Sequence, residues 1–176
     1  TADHTFPSGT ANFLRGDGTF ATPPGGSDPW VYVSLTAQFA STSATTQNVT
    51  NMVFTPAANT KYDVFGMFFL RTASSATVPR VGNKWPTGLT QGVASYYVTA
   101  SATSQVLANA DTAAAAVSPV GQFPATTSLV WPAQMNMVIV AGATPSGSIQ
   151  ITLQSETGGT NVMMEVGSFI KYRSYT

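Results

Sequence analysis

At 176 residues, with 8% charged side chains, a formal net charge of zero and no cysteine, the chain is long enough for one domain with a real core. It carries no electrostatic footprint for nucleic acid or an anionic membrane, and neither disulfides nor thiolate chemistry. Its longest apolar run, residues 64–70, is far short of a membrane span, so no membrane insertion is expected.

The chain opens on Thr1 rather than Met, without a charged, apolar, small-residue leader, which suggests a processed chain or a portion of a longer one. Residues 1–27 are rich in Gly, Pro, Ser and Thr, and their only large apolar groups are Phe6, Phe13, Leu14 and Phe20. Such a segment builds no core of its own. It is expected to be an extended arm whose spaced anchors Phe6, Phe13, Leu14 and Phe20 dock on a partner chain, with folding back onto its own domain as the alternative. Arg15-Gly16-Asp17 also spells an integrin tripeptide, but three residues specify little, and Gly16 and Gly18 around Asp17 read first as a turn.

The remainder, residues 28–176, reads as one β domain. Strands are expected over residues 30–35, 47–55 and 61–72. The third is apolar on both faces, with Tyr62, Val64, Phe68 and Leu70 on one side and Phe65, Met67 and Phe69 on the other. That suits a central strand whose second face meets either another subunit or another sheet. Asn48-Val49-Thr50 matches a glycosylation sequon, meaningful only in a secreted eukaryotic protein.

Strands at residues 77–81 and 93–99 flank an expected loop, residues 82–88. Its Asn83, Lys84, Trp85 and Thr87 combine a flat apolar ring with donors and acceptors, the mixture that meets a glycan or protein surface. A Trp anchoring the loop is the competing reading. Tyr96 and Tyr97 join the receptor-binding candidates, because on a strand they face opposite ways and one of them is exposed. Asp111, ahead of Thr112 and four alanines, is read as the N-cap of a short helical turn.

The C-terminal region, residues 135–175, alternates apolar and polar residues in three runs and is expected to form an antiparallel meander. The expected register sets Met137 against Leu153, Ile139 against Ile151, Leu153 against Met164 and Ile151 against Val166. The first connection is expected to hold three or five residues with Gly147 at positive φ, and the second a turn at Gly158-Gly159. Val138 and Val140 make the first run apolar on its second face, which implies cover on both sides.

Two phrases carry a family resemblance. Asn12-Phe13-Leu14-Arg15-Gly16-Asp17-Gly18-Thr19-Phe20, ahead of Pro23-Pro24-Gly25-Gly26, resembles the linker of bacteriophage fibre and spike proteins. The close, Val166-Gly167-Ser168-Phe169-Ile170-Lys171-Tyr172-Arg173, resembles the C-terminus of the same group. The resemblance implies a homotrimeric protein of the virion surface, tail or head fibre.

Most chemistry is excluded by inventory. The single histidine, His4, lies in the arm, which starves the domain of a Ser-His-Asp triad or a His-based metal site. Glycoside hydrolysis needs only two carboxylates, and Asp63, Asp111, Glu156 and Glu165 are available. In the expected register Glu156 and Glu165 stand about 13 Å apart at strand rise, beyond the roughly 5 to 9.5 Å of a glycosidase pair. No phosphate loop or dinucleotide glycine fingerprint is present.

The resulting reading is a jelly-roll-like antiparallel β sandwich with an extended N-terminal arm, trimeric, non-enzymatic and without metal or cofactor. The arm docks on other virion proteins, and the domain attaches to a host glycan or protein. The alternatives are a capsid decoration or head fibre protein without a receptor, a glycan-cleaving tailspike, and a secreted bacterial adhesin.

Overall fold

The computed structural model describes residues 13–14, 20–21, 29–75, 77–100, 103–111, 118–120 and 130–175. Among them every regular element is a strand: β1 Phe13–Leu14, β2 Phe20–Ala21, β3 Val31–Ser34, β4 Phe39–Ser41, β5 Gln47–Phe54, β6 Lys61–Thr72, β7 Pro79–Lys84, β8 Thr87–Ala100, β9 Thr103–Asp111, β10 Ser118–Val120, β11 Trp131–Ser146, β12 Ile149–Ser155, β13 Val162–Met164 and β14 Phe169–Tyr175. In the arm, Phe13 pairs with Ala21 and Leu14 with Phe20 as a two-stranded ribbon, while Phe6 lies outside the described residues.

Strand order identifies the domain. Antiparallel pairs join β5 with β12, β6 with β11, β7 with β10 and β8 with β9, the first strand of the series with the last and so on inward. This is one long hairpin of four double rungs. It is rolled up by two further pairings, β12 with β7 and β11 with β8. The result is a jelly roll, an all-β antiparallel sandwich with sheet orders β10-β7-β12-β5 and β6-β11-β8-β9. The second sheet grows to eight strands because β14 and β13 add to β6, β3 adds to β14, and β4 adds to β13.

β6 shows why the sheets pack. Its even positions, from Tyr62 to Thr72, are all buried, and its odd positions are half-buried apart from exposed Lys61. It is the central strand that its doubly apolar sequence requires. Opposite it in the core, Ile149, Ile151 and Leu153 of β12 are fully buried, as are Phe68, Leu70, Met135 and Ile139 of the large sheet.

The expected meander does not form. β12 pairs with β5 and β7, not with β11 or β13, so Leu153 lies beside Val81 and Gln47, and Ile151 beside Asn83. Met137 pairs instead with Val64, and Met164 with Leu70 and Phe39. The inward parity of these runs is as expected; their neighbours are not, because consecutive strands of a jelly roll cross from one sheet to the other. Two residues, Gly147 and Ser148, make the first crossing, with Gly147 at φ 93° as expected. Gly159, at φ 85°, turns the second, where Thr160 N–H donates to the Thr157 carbonyl at 3.4 Å.

The last run is also two strands. Met164 opposes Leu70 and Phe169 opposes Met67, so residues 165–168 bulge out of the ladder. The Ser168 hydroxyl fills the gap, accepting from Phe69 N–H at 2.9 Å and donating to the Glu165 carbonyl at 2.8 Å. Val166 is thereby exposed, and Phe169 lies half-buried on the outward parity it shares with Lys171 and Arg173. A second bulge, in β5, sets Val49 and Met52 both inward with Asn51 at φ 65°. Asp111 ends β9 opposite Val93, and the helical turn expected after it, residues 112–117, lies outside the described residues.

Candidate functional site: the outer face of the large sheet

The expected binding loop is a corner between sheets. Gly82, Asn83 and Lys84 complete β7, Thr87 opens β8, and only Trp85 and Pro86 lie between. Trp85 is 9% exposed and belongs to the core cluster. Asn83 points inward from β7 and accepts a 2.7 Å hydrogen bond from the hydroxyl of Tyr96, which points inward from β8. Burial pushes the Tyr96 phenol far above its ordinary range. The second polar atom of Asn83, Nδ2, is buried without a partner. Of the six receptor-binding candidates, the structure therefore places Asn83, Trp85 and Tyr96 inside. Lys84 is half-buried, while Thr87 and Tyr97 are exposed.

The carboxylates are also separated. Asp63 binds Arg173 at 2.8 Å, Glu156 binds Arg80 at 2.9 Å and Glu165 binds Arg71 at 2.7 Å, each committed to its own arginine. No group of three or more His, Cys, Asp or Glu is placed to hold a metal among the described residues.

What the fold assembles instead is a surface. Register carries side chains across the outside of the large sheet in rows: Arg173, Asp63, Val138 and Val93; Tyr32, Lys171, Phe65, Asn136 and Ser95; Phe169, Met67, Gln134 and Tyr97. Val138 is 46% exposed, Tyr97 38% and Val93 36%. Among the described residues, the expected cover on the second face of β11 is thus not supplied. A depression of about 420 Å³ crosses the rows, lined by Trp30, Asp63, Phe65, Val93, Ser95, Asn136, Val138 and Lys171 among others.

Charge divides this face in two. On β6 and β14 three charges are engaged, Arg173 with Asp63, and Lys171 and Arg173 against the Trp30 ring at 4.8 and 4.9 Å, while Lys61 stands exposed beside Val140. On β11 and β8 the outward residues Pro132, Gln134, Asn136, Val138, Val140, Gln91, Val93, Ser95 and Tyr97 include no charge. The individual residues were visible in the sequence as the second parity of two strands. That β8 and β11 lie side by side was not.

No family model matches the chain, and no curated protein matches it. Among solved structures it is similar to that of the infectious bursal disease virus Gx strain, at 14% identity and a TM-score of 0.25, covering 82% of this chain and 38% of that one. It is also similar to the crystal structure of the infectious bursal disease virus VP2 subviral particle, at 9% identity and a TM-score of 0.27, covering 82% and 36%. The chain spans a little over a third of the length of these proteins. The jelly roll stands on strand order, independently of these neighbours.

Proposed function

We propose that the chain is a non-enzymatic component of a virus particle, the jelly-roll tip of a bacteriophage fibre that associates as a homotrimer. Its N-terminal arm docks on other virion proteins and its tip faces the host. A fold alone assigns no function. The observation that carries the reading is the exposure of Val138, Val93 and Tyr97 on the uncharged β11–β8 half of the large sheet's outer face. The arm phrase that resembles fibre linkers supports it, and so does the commitment of Asp63, Glu156 and Glu165 to three separate arginines, which argues against a glycan-cleaving pair. In this reading attachment falls to the rim of the β7–β8 corner, where Lys84 and Thr87 remain accessible.

The test is the mass of the chain in solution. A trimer at micromolar concentration is expected, and a stable, folded monomer would overturn the reading. Decoration of a capsid shell without a receptor is the second reading. Burial of Trp85 and Asn83 favours it, because the aromatic platform expected for attachment is absent from the surface. Imaging of the intact particle separates the two: the chain lies at a fibre end in one case and on the shell in the other.

A further inference from the structure

We infer that the depression between Trp30 and the β11–β8 strands is a binding site for an acidic sugar, a pyranose ring that carries a carboxylate. The inference goes beyond the proposed attachment at the β7–β8 corner. It does not require self-association, because one chain supplies the lining. Shape, hydrogen-bonding groups and charge each point to this ligand.

The depression holds about 420 Å³, within the roughly 300–1,000 Å³ of small-molecule sites. Its floor is apolar, formed by Phe65 of β6, Val138 of β11 and Val93 of β8, with Val138 and Val93 in register. Such a floor takes the C–H face of a sugar ring.

Two polar side chains interrupt this floor side by side. Asn136 lies in register with Phe65 on one flank and with Ser95 on the other, so an amide and a hydroxyl project from neighbouring strands about 4.8 Å apart. Asn136 is exposed. At the centre of a protein interface these groups would interrupt apolar packing, whereas a ligand with hydroxyls set around an apolar ring uses them as donors and acceptors.

Charge selects among sugars. The Lys171 ammonium lies 4.8 Å from the Trp30 ring centroid, 5.4 Å from that of Phe65 and 5.9 Å from that of Tyr32. Three rings hold it at the depression without neutralising it. The ion pairs among the described residues all use arginines, so none of them offsets this charge. Asp63, the acid in the lining, is already compensated: it accepts from Arg173 Nη2 at 2.8 Å and from the Tyr175 hydroxyl at 3.1 Å. The described lining therefore carries one uncompensated positive charge, and a carboxylate on the sugar is its complement. An aromatic carboxylate would meet Lys171 and the floor but bring no hydroxyls to Asn136 and Ser95.

The test titrates the full chain with methyl glucuronide, with its uncharged counterpart methyl glucoside and with benzoate, following binding by ligand-observed NMR and recording the melting of each variant. Methyl glucuronide is expected to bind about tenfold more tightly than methyl glucoside, the worth of one charge-assisted hydrogen bond, and more tightly than benzoate. Lys171→Gln is expected to erase the preference for the charged sugar. Asn136→Ala should weaken both sugars by about fivefold, and it decides the question if Lys171→Gln does not fold. Lys84→Gln, on the small sheet, should change neither. The inference is overturned if methyl glucuronide shows no saturable binding, if methyl glucoside or benzoate binds as tightly, or if Lys171→Gln or Asn136→Ala is without effect. A loss in Lys84→Gln as large as in Lys171→Gln overturns it too, since binding then belongs to the β7–β8 corner. Failure of this site leaves the proposed function to the mass of the chain, and a monomer that binds methyl glucuronide overturns that function while the site stands.

Discussion

The outer faces of the two sheets are built from the same alternating strands and end in opposite chemistry. Outside the small sheet, Gln150 donates to three carbonyls, those of Val49, Met52 and Ile151, and Gln154 donates to the Ala44 carbonyl. Backbone carbonyls hold these two glutamines, while the Thr152 hydroxyl between them is buried without a partner. Outside the large sheet, Val138, Val93 and Tyr97 stand open with no charged group on their own strands. The difference teaches that strand alternation decides only that there are two faces. What the outward face carries reports what the face meets.

The comparison is broken most forcefully by an interior benchmark. Trp85→Ala should cost about 3–5 kcal/mol of unfolding free energy, because Trp85 fills the corner where the chain crosses between sheets. Val138→Ala, measured by denaturant below the association concentration, should cost less than about 1 kcal/mol. Equal costs would make the outer strip part of the single chain's own core and end the distinction.

Next in size are matched glutamine substitutions on the two faces. Gln150→Leu should cost about 1–3 kcal/mol, since it leaves the carbonyls of the β5 bulge without their donor. Gln134→Leu should stay within about 0.5 kcal/mol, since no backbone carbonyl among the described residues depends on it. A neutral Gln150→Leu would mean that the small sheet's polar face does not hold its own edge strand.

The adjacent residues Tyr96 and Tyr97 sharpen the contrast between inside and outside through pH. Tyr96 is fully buried and its phenol is pushed far above the ordinary 10.0 by desolvation. The unfolded chain therefore loses that proton first as pH rises. The stability held by the neutral phenol is complete below pH 10.0 and falls as pH climbs toward the raised folded value, by about 1.4 kcal/mol per pH unit. Urea titrations between neutral and strongly alkaline pH should show this limb, and Tyr96→Phe should flatten it while lowering stability at neutral pH, because Asn83 Oδ1 loses its donor. An unchanged limb in Tyr96→Phe would place the titrating group elsewhere.

The smallest effect belongs to the ion pair on the outer face. Arg173 and Asp63 are both partly open to water, so Arg173→Ala should cost at most about 1 kcal/mol, and less in high salt. A larger, salt-independent loss would mean that the pair braces β14 against β6 rather than lying in water.

Much of this protein was legible in its residues one at a time. Alternation in residues 61–72 set the length and both faces of β6, and alternation in residues 149–155 set the inward set of β12, because successive side chains of an extended backbone must point to opposite sides. Gly147 was readable as a positive-φ position because a side chain there strains the turn. Inventory limited which side chains are available for chemistry, with one histidine and no cysteine. Tertiary structure alone decided which strands are neighbours. Backbone N–H and C=O groups are the same at every residue, so parity allowed Leu153 to lie beside Met164 as well as beside Val81, and only the rolled hairpin chose. It also decided the fate of Trp85. An indole among Asn, Lys and Thr reads as a surface group when the chain is taken as a loop, and it becomes core once β7 and β8 belong to opposite sheets and their corner must be filled. The outer face was decided in the same way: Val138 and Val93 are forty-five positions apart by number, and the β11–β8 pairing sets them side by side.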